Sequence, residues 1–161
     1  MLDFKNYIND VPDFPKPGII FKDIQPLLAN GEIFDRAIIK MLNLVHKPDY
    51  FIGIDSRGFI FASAMASKTQ NGLKIVRKKG KLPPPCISIK YDLEYGNDTL
   101  EIQEGNGKVV IVDDVYATGG TMDAVEQLCV KAGYQVIDKV VLIDLAFLHK
   151  PNNIKSLIKY E

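Results

Sequence analysis

The stretch Val109-Val110-Ile111-Val112-Asp113-Asp114-Val115-Tyr116-Ala117-Thr118-Gly119-Gly120-Thr121 decides the fold. Four β-branched apolar residues in succession describe a strand buried on both faces, as at the centre of a parallel sheet. Two carboxylates, Asp113 and Asp114, stand where that strand is expected to end. The small-residue turn Ala117–Thr121 then leads into Met122–Lys131, where Met122, Val125, Leu128 and Cys129 repeat at helical spacing. A strand, a glycine-rich turn and a helix start make an anion site. Free N–H groups and the positive dipole end attract a phosphate, and glycines let the backbone come close. Thr118 and Thr121 add hydroxyl donors. Paired acids would repel a bare phosphate, so the ligand is expected to carry hydroxyl groups too, as a ribose phosphate does.

This run resembles the phosphoribosyl-diphosphate (PRPP) binding motif of the type I phosphoribosyltransferases. The resemblance implies that Asp113 and Asp114 hold the ribose hydroxyls. It also implies that Ala117, Thr118, Gly119, Gly120 and Thr121 hold the 5′-phosphate. Leu is common in that family where Tyr116 stands, and the sequence does not explain the difference.

The chain of 161 residues, 47% of them apolar, suits a single domain over residues 1–161 with a sizeable core. Lys and Arg number 20 and Asp and Glu 20, so no net field argues for nucleic acid or an anionic membrane. The N-terminus lacks a signal-peptide pattern, and no apolar run is long enough to span a bilayer. Cys86 and Cys129 lack metal-ligand or redox spacing and read as free thiols in a reducing cytoplasm, Cys129 in the core.

Working outward, a short amphipathic piece, Leu2–Ile8, precedes Val11–Ile24. There Pro12, Pro15 and Pro17 exclude helix and imply a stiff extended loop. That loop is either a surface strap or a mount holding Phe21 against a planar ligand. It resembles the base-binding segment of adenine phosphoribosyltransferases, which implies a small hood (about 1–30) with Ile20, Phe21 and Lys22 on the adenine. Arg is usual at the Lys22 position, and Lys cannot reproduce a planar bidentate contact. Glu32–Val45 predicts a helix through Ile33, Phe34, Ala37, Ile38, Met41, Leu42 and Val45. His46 is expected to cap that helix rather than catalyse, and His149 is read the same way.

Tyr50–Ile54 reads as a second buried strand, ending in Asp55-Ser56-Arg57-Gly58 before a helix over Phe59–Lys68. Ligands of open α/β sheets bind beyond the carboxyl ends of strands, so this turn and the Ala117–Thr121 turn can share one crevice, with Arg57 a fixed cation. In the family the matching turn is the diphosphate loop. The likeness assigns Asp55, Ser56, Arg57 and Gly58 to diphosphate and predicts a cis peptide between Asp55 and Ser56.

Leu73–Arg77 predicts a third strand, and Arg77-Lys78-Lys79-Gly80-Lys81 follows as the densest basic run. By charge alone this is either a solvated face or a counter-charge for a leaving diphosphate. Likeness to the family's basic segment favours the second, through Arg77, Lys78 and Lys81. Pro84 replaces a common Gly there and stiffens a hinge. Cys86–Tyr91 and Thr99–Gln103 alternate and read as a hairpin flap joined by residues 92–98. Ser88–Gly96 resembles the family's flexible catalytic loop (about 79–103 here). That implies proton handling by Glu94, as acid, base or both, and lid closure by Tyr95. Gly133 suits a helix C-cap, Val136–Leu145 a strand, and Ile154–Tyr160 a last edge strand.

These resemblances imply an α/β type I phosphoribosyltransferase fold: a central parallel sheet flanked by helices, a small hood and a β-hairpin catalytic loop. They imply that adenine and PRPP give AMP and diphosphate, with Glu94 and Arg57 catalytic. Mg²⁺ would arrive on the diphosphate rather than in a protein cage, and a homodimer is expected. Two other readings are transfer to another purine base and a non-catalytic PRPP-sensing regulator. The regulator fits less well, with no room before Pro12 for a nucleic-acid module.

Overall fold

A computed structural model describes residues 1–93 and 96–161. In chain order the elements are β1 (Asn9–Pro12), β2 (Ile20–Asp23), α1 (Gln25–Ala29), α2 (Gly31–Leu42), β3 (Tyr50–Ile54), α3 (Gly58–Thr69) and β4 (Gly72–Lys78). There follow β5 (Ile87–Leu93), β6 (Gly96–Ile102), β7 (Gly107–Tyr116), α4 (Gly120–Lys131), β8 (Tyr134–Leu145) and β9 (Lys155–Tyr160). Seven strands form one sheet in the order β5-β6-β4-β3-β7-β8-β9. The five from β4 to β9 run parallel, and β5 and β6 add an antiparallel hairpin at one edge.

The β-branched run lies where its composition puts it, at the middle. Val109, Val110, Ile111 and Val112 are all fully buried. Alternate residues serve opposite faces. Val110 and Val112 pack with Ala37, Met41, Phe61 and Met65 of α2 and α3, while Val109 and Ile111 pack with Val125 and Leu128 of α4. Each such side chain contributes about 1.5–3 kcal/mol relative to exposure. The strand does not stop at the carboxylates, as the sequence reading has it. It continues to Tyr116 because β8 runs alongside and pairs Asp113 with Val141 and Tyr116 with Asp144.

Other boundaries move for similar reasons. The Val11–Ile24 segment is not loop throughout: β1 and β2 pair antiparallel, Val11 opposite Phe21, and form the hood. Helix α2 starts at the Asn30 cap, whose side chain accepts the Ile33 N–H at 3.2 Å, and ends at Leu42 rather than Val45. Beyond it the Leu44 and Val45 N–H groups bond only three residues back, which tightens the exit toward Pro48. His46 therefore does not cap the helix. Its backbone N–H and Nδ1 both meet Asp138 of β8, at 2.7 and 2.9 Å. The hairpin strands run on to pair Leu93 with Gly96, further than the alternation indicates. Gly133, at φ +107°, follows α4 as expected, and β9 closes the parallel edge. Cys129 is fully buried, and burial pushes its thiol up to about 12.

Candidate active site

Two adjacent parallel strands, β3 and β7, each end in a turn that starts a helix, and the turns meet. After β3 the peptide between Asp55 and Ser56 is cis, as predicted, and Gly58 opens α3. Gly58 lies against the other turn. A Cβ there would sit 2.9 Å from the Val112 carbonyl and 3.0 Å from Asp113 Oδ1, so glycine is what allows the approach. After β7, Gly119 takes φ +94° as the N-cap of α4. Residues 115–122 and Asp113 line a cavity of about 100 Å³ at that helix start. The volume suits one small anion held by backbone N–H groups.

Arg57 links three parts of the crevice. Its Nε is 2.7 Å from Asp114 Oδ2, and its guanidinium carbon stands 4.8 Å from the centre of the Phe21 ring. Phe21 is in turn met edge-on by Phe14. The Arg57 side chain is 37% exposed, so it remains open to a ligand. The N–H does not point along the Asp114 contact, and the buried Oδ2 has no well-directed donor. Asp113 Oδ1 accepts the Asp114 N–H at 2.9 Å. Burial, and then the Asp114 charge, push the Asp113 carboxyl well above the usual carboxylate range, against the pull of that N–H and of Arg57.

The other sequence-predicted residues lie as follows. Asp55 Oδ2 accepts from Arg77 Nε at 3.3 Å and from the Lys78 N–H at 3.4 Å, which joins the turn to β4. Lys78 Nζ is 3.7 Å from Asp98, and Lys81 is exposed. Ile20 is exposed on the hood, while the Lys22 ammonium turns away to Asp10, at 2.6 Å, and to the Tyr160 ring. Thr118 and Gly120 are exposed at the turn, and Ala117 is half-buried there. Glu94 and Tyr95 lie outside the described residues.

Three features escape the sequence reading. Lys131 of α4 donates from Nζ to the Ser88 carbonyl of β5 at 3.2 Å, and Tyr91 of β5 stands beside Thr121, which brings the hairpin toward the turn. Tyr116 packs beneath Gly119. His149, read as a cap, instead places Nε2 2.7 Å from the buried Asp144 carboxylate, with its ring edge-to-face on Tyr116. Only the oddity of Tyr116 at its position hinted at this cluster.

Two neighbouring turns with paired acids, a cation between them and a glycine-lined cavity at a helix start form one crevice whose chemistry suits an anionic, hydroxyl-bearing ligand. A family model described as the phosphoribosyl transferase domain matches residues 24–156, and the chain belongs to that family. Within it, the chain is 49% identical to the adenine phosphoribosyltransferase of Bdellovibrio bacteriovorus, over 99% of this chain and 100% of that protein. The fold is similar to that of the Rhodothermus marinus adenine phosphoribosyltransferase, with TM-score 0.88 and 38% identity over 98% of this chain and 96% of that one. It is also similar to the Saccharomyces cerevisiae enzyme complexed with an imino-altritol bisphosphate and adenine. That likeness has TM-score 0.85 and 35% identity over 90% of this chain and 88% of that one.

Proposed function

We propose that this chain transfers the 5-phosphoribosyl group of PRPP to adenine, giving AMP and diphosphate, a purine-salvage reaction. The bond from the anomeric carbon to diphosphate oxygen breaks, and oxygen keeps the electron pair. Adenine N9 forms the new bond on the opposite face and loses its proton. The observation that supports this most directly is the Arg57 guanidinium placed between the Asp114 carboxylate and the Phe21 ring. One cation thus borders the sites for sugar, base and leaving group.

In this reading the Ala117–Thr121 turn grips the 5′-phosphate, and Asp113 and Asp114 take the ribose hydroxyls. The positive charge developing on the sugar is then met by adjacent carboxylates held by the fold before reaction. Asp55 to Gly58, with Arg77, Lys78 and Lys81, receives the diphosphate. Ile20, Phe21 and the backbone at Lys22 border adenine, since the Lys22 ammonium is engaged by Asp10. Glu94 is assigned proton traffic at adenine N9 and N7, with Tyr95 in the lid. Mg²⁺ fits as an ion brought by PRPP and held through its phosphates and water, since no group of three or more His, Cys, Asp or Glu side chains that could hold a metal gathers among the described residues. When bound it offsets diphosphate charge. A homodimer and a cytoplasmic setting complete the proposal, supported by exposed apolar side chains such as Ile60 and Phe147 and by two free cysteines.

The test is incubation of purified protein with labelled adenine, hypoxanthine or guanine, each with PRPP and Mg²⁺. AMP from adenine alone is expected. Nucleotide from another base, or PRPP binding without turnover, overturns the proposal.

A further inference from the structure

Tyr116 is the last residue of β7 and is 8% exposed. Its hydroxyl lies directly under the turn: a Cβ added to Gly119 would collide with that oxygen and with the ring carbon bearing it. The hydroxyl accepts a hydrogen bond from Asn152 Nδ2 at 3.1 Å. Asn152 cannot swing freely, because its Oδ1 accepts the Ile154 N–H at 2.9 Å and so fixes which end of the amide faces Tyr116. The ring is held from the side by His149, with centroids 4.8 Å apart and planes nearly perpendicular. His149 is anchored at both nitrogens, Nε2 by Asp144 at 2.7 Å and Nδ1 by the Lys150 carbonyl at 2.8 Å. His149 Nδ1 also lies 3.2 Å from the Asn152 amide nitrogen, so the ring and the Tyr116 hydroxyl share that amide, while Nε2 meets a carboxylate that is 5% exposed.

The location gives the network its meaning. Tyr116 lines the cavity of about 100 Å³ at the start of α4. Asp144, His149 and Asn152 line a separate cavity of about 210 Å³. The four side chains stand between the two cavities. They tie the glycine turn to the segment between β8 and β9, which none of the functional assignments above includes. A glycine turn has no side chain of its own to hold its path, and an anion site depends on N–H groups already pointing at the ligand.

We propose that Tyr116 is a positioning residue for the 5′-phosphate turn, its hydroxyl held by Asn152 so that it sets the height and path of Gly119. The inference rests on the reading of Ala117–Thr121 as the 5′-phosphate site. It predicts a defect confined to ligands bearing that phosphate. Ribose 5-phosphate binding is measured by calorimetry for wild type, Y116F, N152A and the double variant, beside KM for PRPP and adenine and thermal melting. Both single variants are expected to bind ribose 5-phosphate about tenfold more weakly and to raise KM for PRPP similarly, with kcat and KM for adenine within about twofold. The double variant is expected to bind no more weakly than the poorer single, since both remove one hydrogen bond. N152A keeps the tyrosine ring and so separates the bond from the packing. Affinity within about twofold of wild type in both singles, multiplying losses in the double, or an equal rise in KM for adenine overturns the inference. A wild-type protein that fails to bind ribose 5-phosphate overturns the phosphate-site reading itself and this inference with it, without reference to any variant.

Discussion

Arg57 and Asp114 approach to 2.7 Å across the junction of two turns that are more than fifty residues apart in the chain. The Asp114 side chain is 8% exposed, so the arginine is the counter-charge of a carboxylate largely removed from water. The pair also fixes the relative position of the Asp55–Gly58 turn and the Asp113–Asp114 acids.

Removing that cation should harm both stability and turnover. R57A is expected to lose about 1–2 kcal/mol, a figure reduced for the exposure of the arginine head. Its kcat/KM should fall about 100- to 1000-fold, as for a lost charge stabiliser. R57K restores charge without the planar face toward Phe21 and should fall between the two. Urea unfolding and steady-state kinetics measure these effects, and wild-type turnover in R57A would remove Arg57 from the catalytic set.

Asp113 sets stability against activity. Its folded carboxyl holds a proton to higher pH than the unfolded one, which titrates near about 3.9. Ionisation therefore opposes folding, and wild-type stability declines as pH rises from the unfolded value through the folded one. An asparagine at this position keeps an acceptor for the Asp114 N–H and has no proton to lose. D113N should melt on the order of a few degrees above wild type near about pH 7.5, with the gain gone near about pH 4, while kcat/KM for PRPP drops. A melting gain that persists at the acid end would contradict the assignment.

His149 gives a pH dependence of opposite cause. The Lys150 carbonyl, then Asp144, raise its pKa above the ordinary imidazole value, outweighing burial. The stability it contributes is complete below the unfolded pKa of about 6.5 and is lost as pH rises through the folded value. The melting gap between wild type and H149Q should be widest near about pH 6 and narrow toward about pH 9. Parallel curves across that range would show that the ring is not held as a cation.

Asp138 should matter to stability alone. Its carboxylate accepts from the His46 N–H and Nδ1 and, at 2.5 Å, from Lys155 Nζ. Burial pushes its pKa up, but the donors from His46 and Lys155 win and hold it low. The contribution is thus present above about pH 3.9 and lost as pH falls through the folded value. D138A should cost about 1 kcal/mol at neutral pH, less in acid, because the exposed His46 and the partly exposed Lys155 lose a shared, largely buried acceptor. KM for PRPP should be unchanged in the folded variant. A shift there would connect this far end of the sheet to the crevice.

Much of the fold was legible in short windows because its causes are local. Val109–Val112 reads as a central strand since only burial on both faces suits four such residues. Gly119 and Gly133 mark the ends of α4 because positive φ is a property of the residue itself. The Asp55–Gly58 and Ala117–Thr121 turns could be placed near strand ends because each polar or small-residue run follows an apolar, β-branched or aromatic one. What the chain order alone could not supply was partnership across distance. His46 meets an aspartate 92 residues away, and Asn152 meets a tyrosine 36 residues away. Lys22 is drawn off to Asp10 and Tyr160, and β7 extends past the acids because β8 lies beside it. Such contacts exist only after the strands have taken their order. Local residue preferences act over a few positions, whereas hydrogen bonds between distant segments wait on the packing that brings them together.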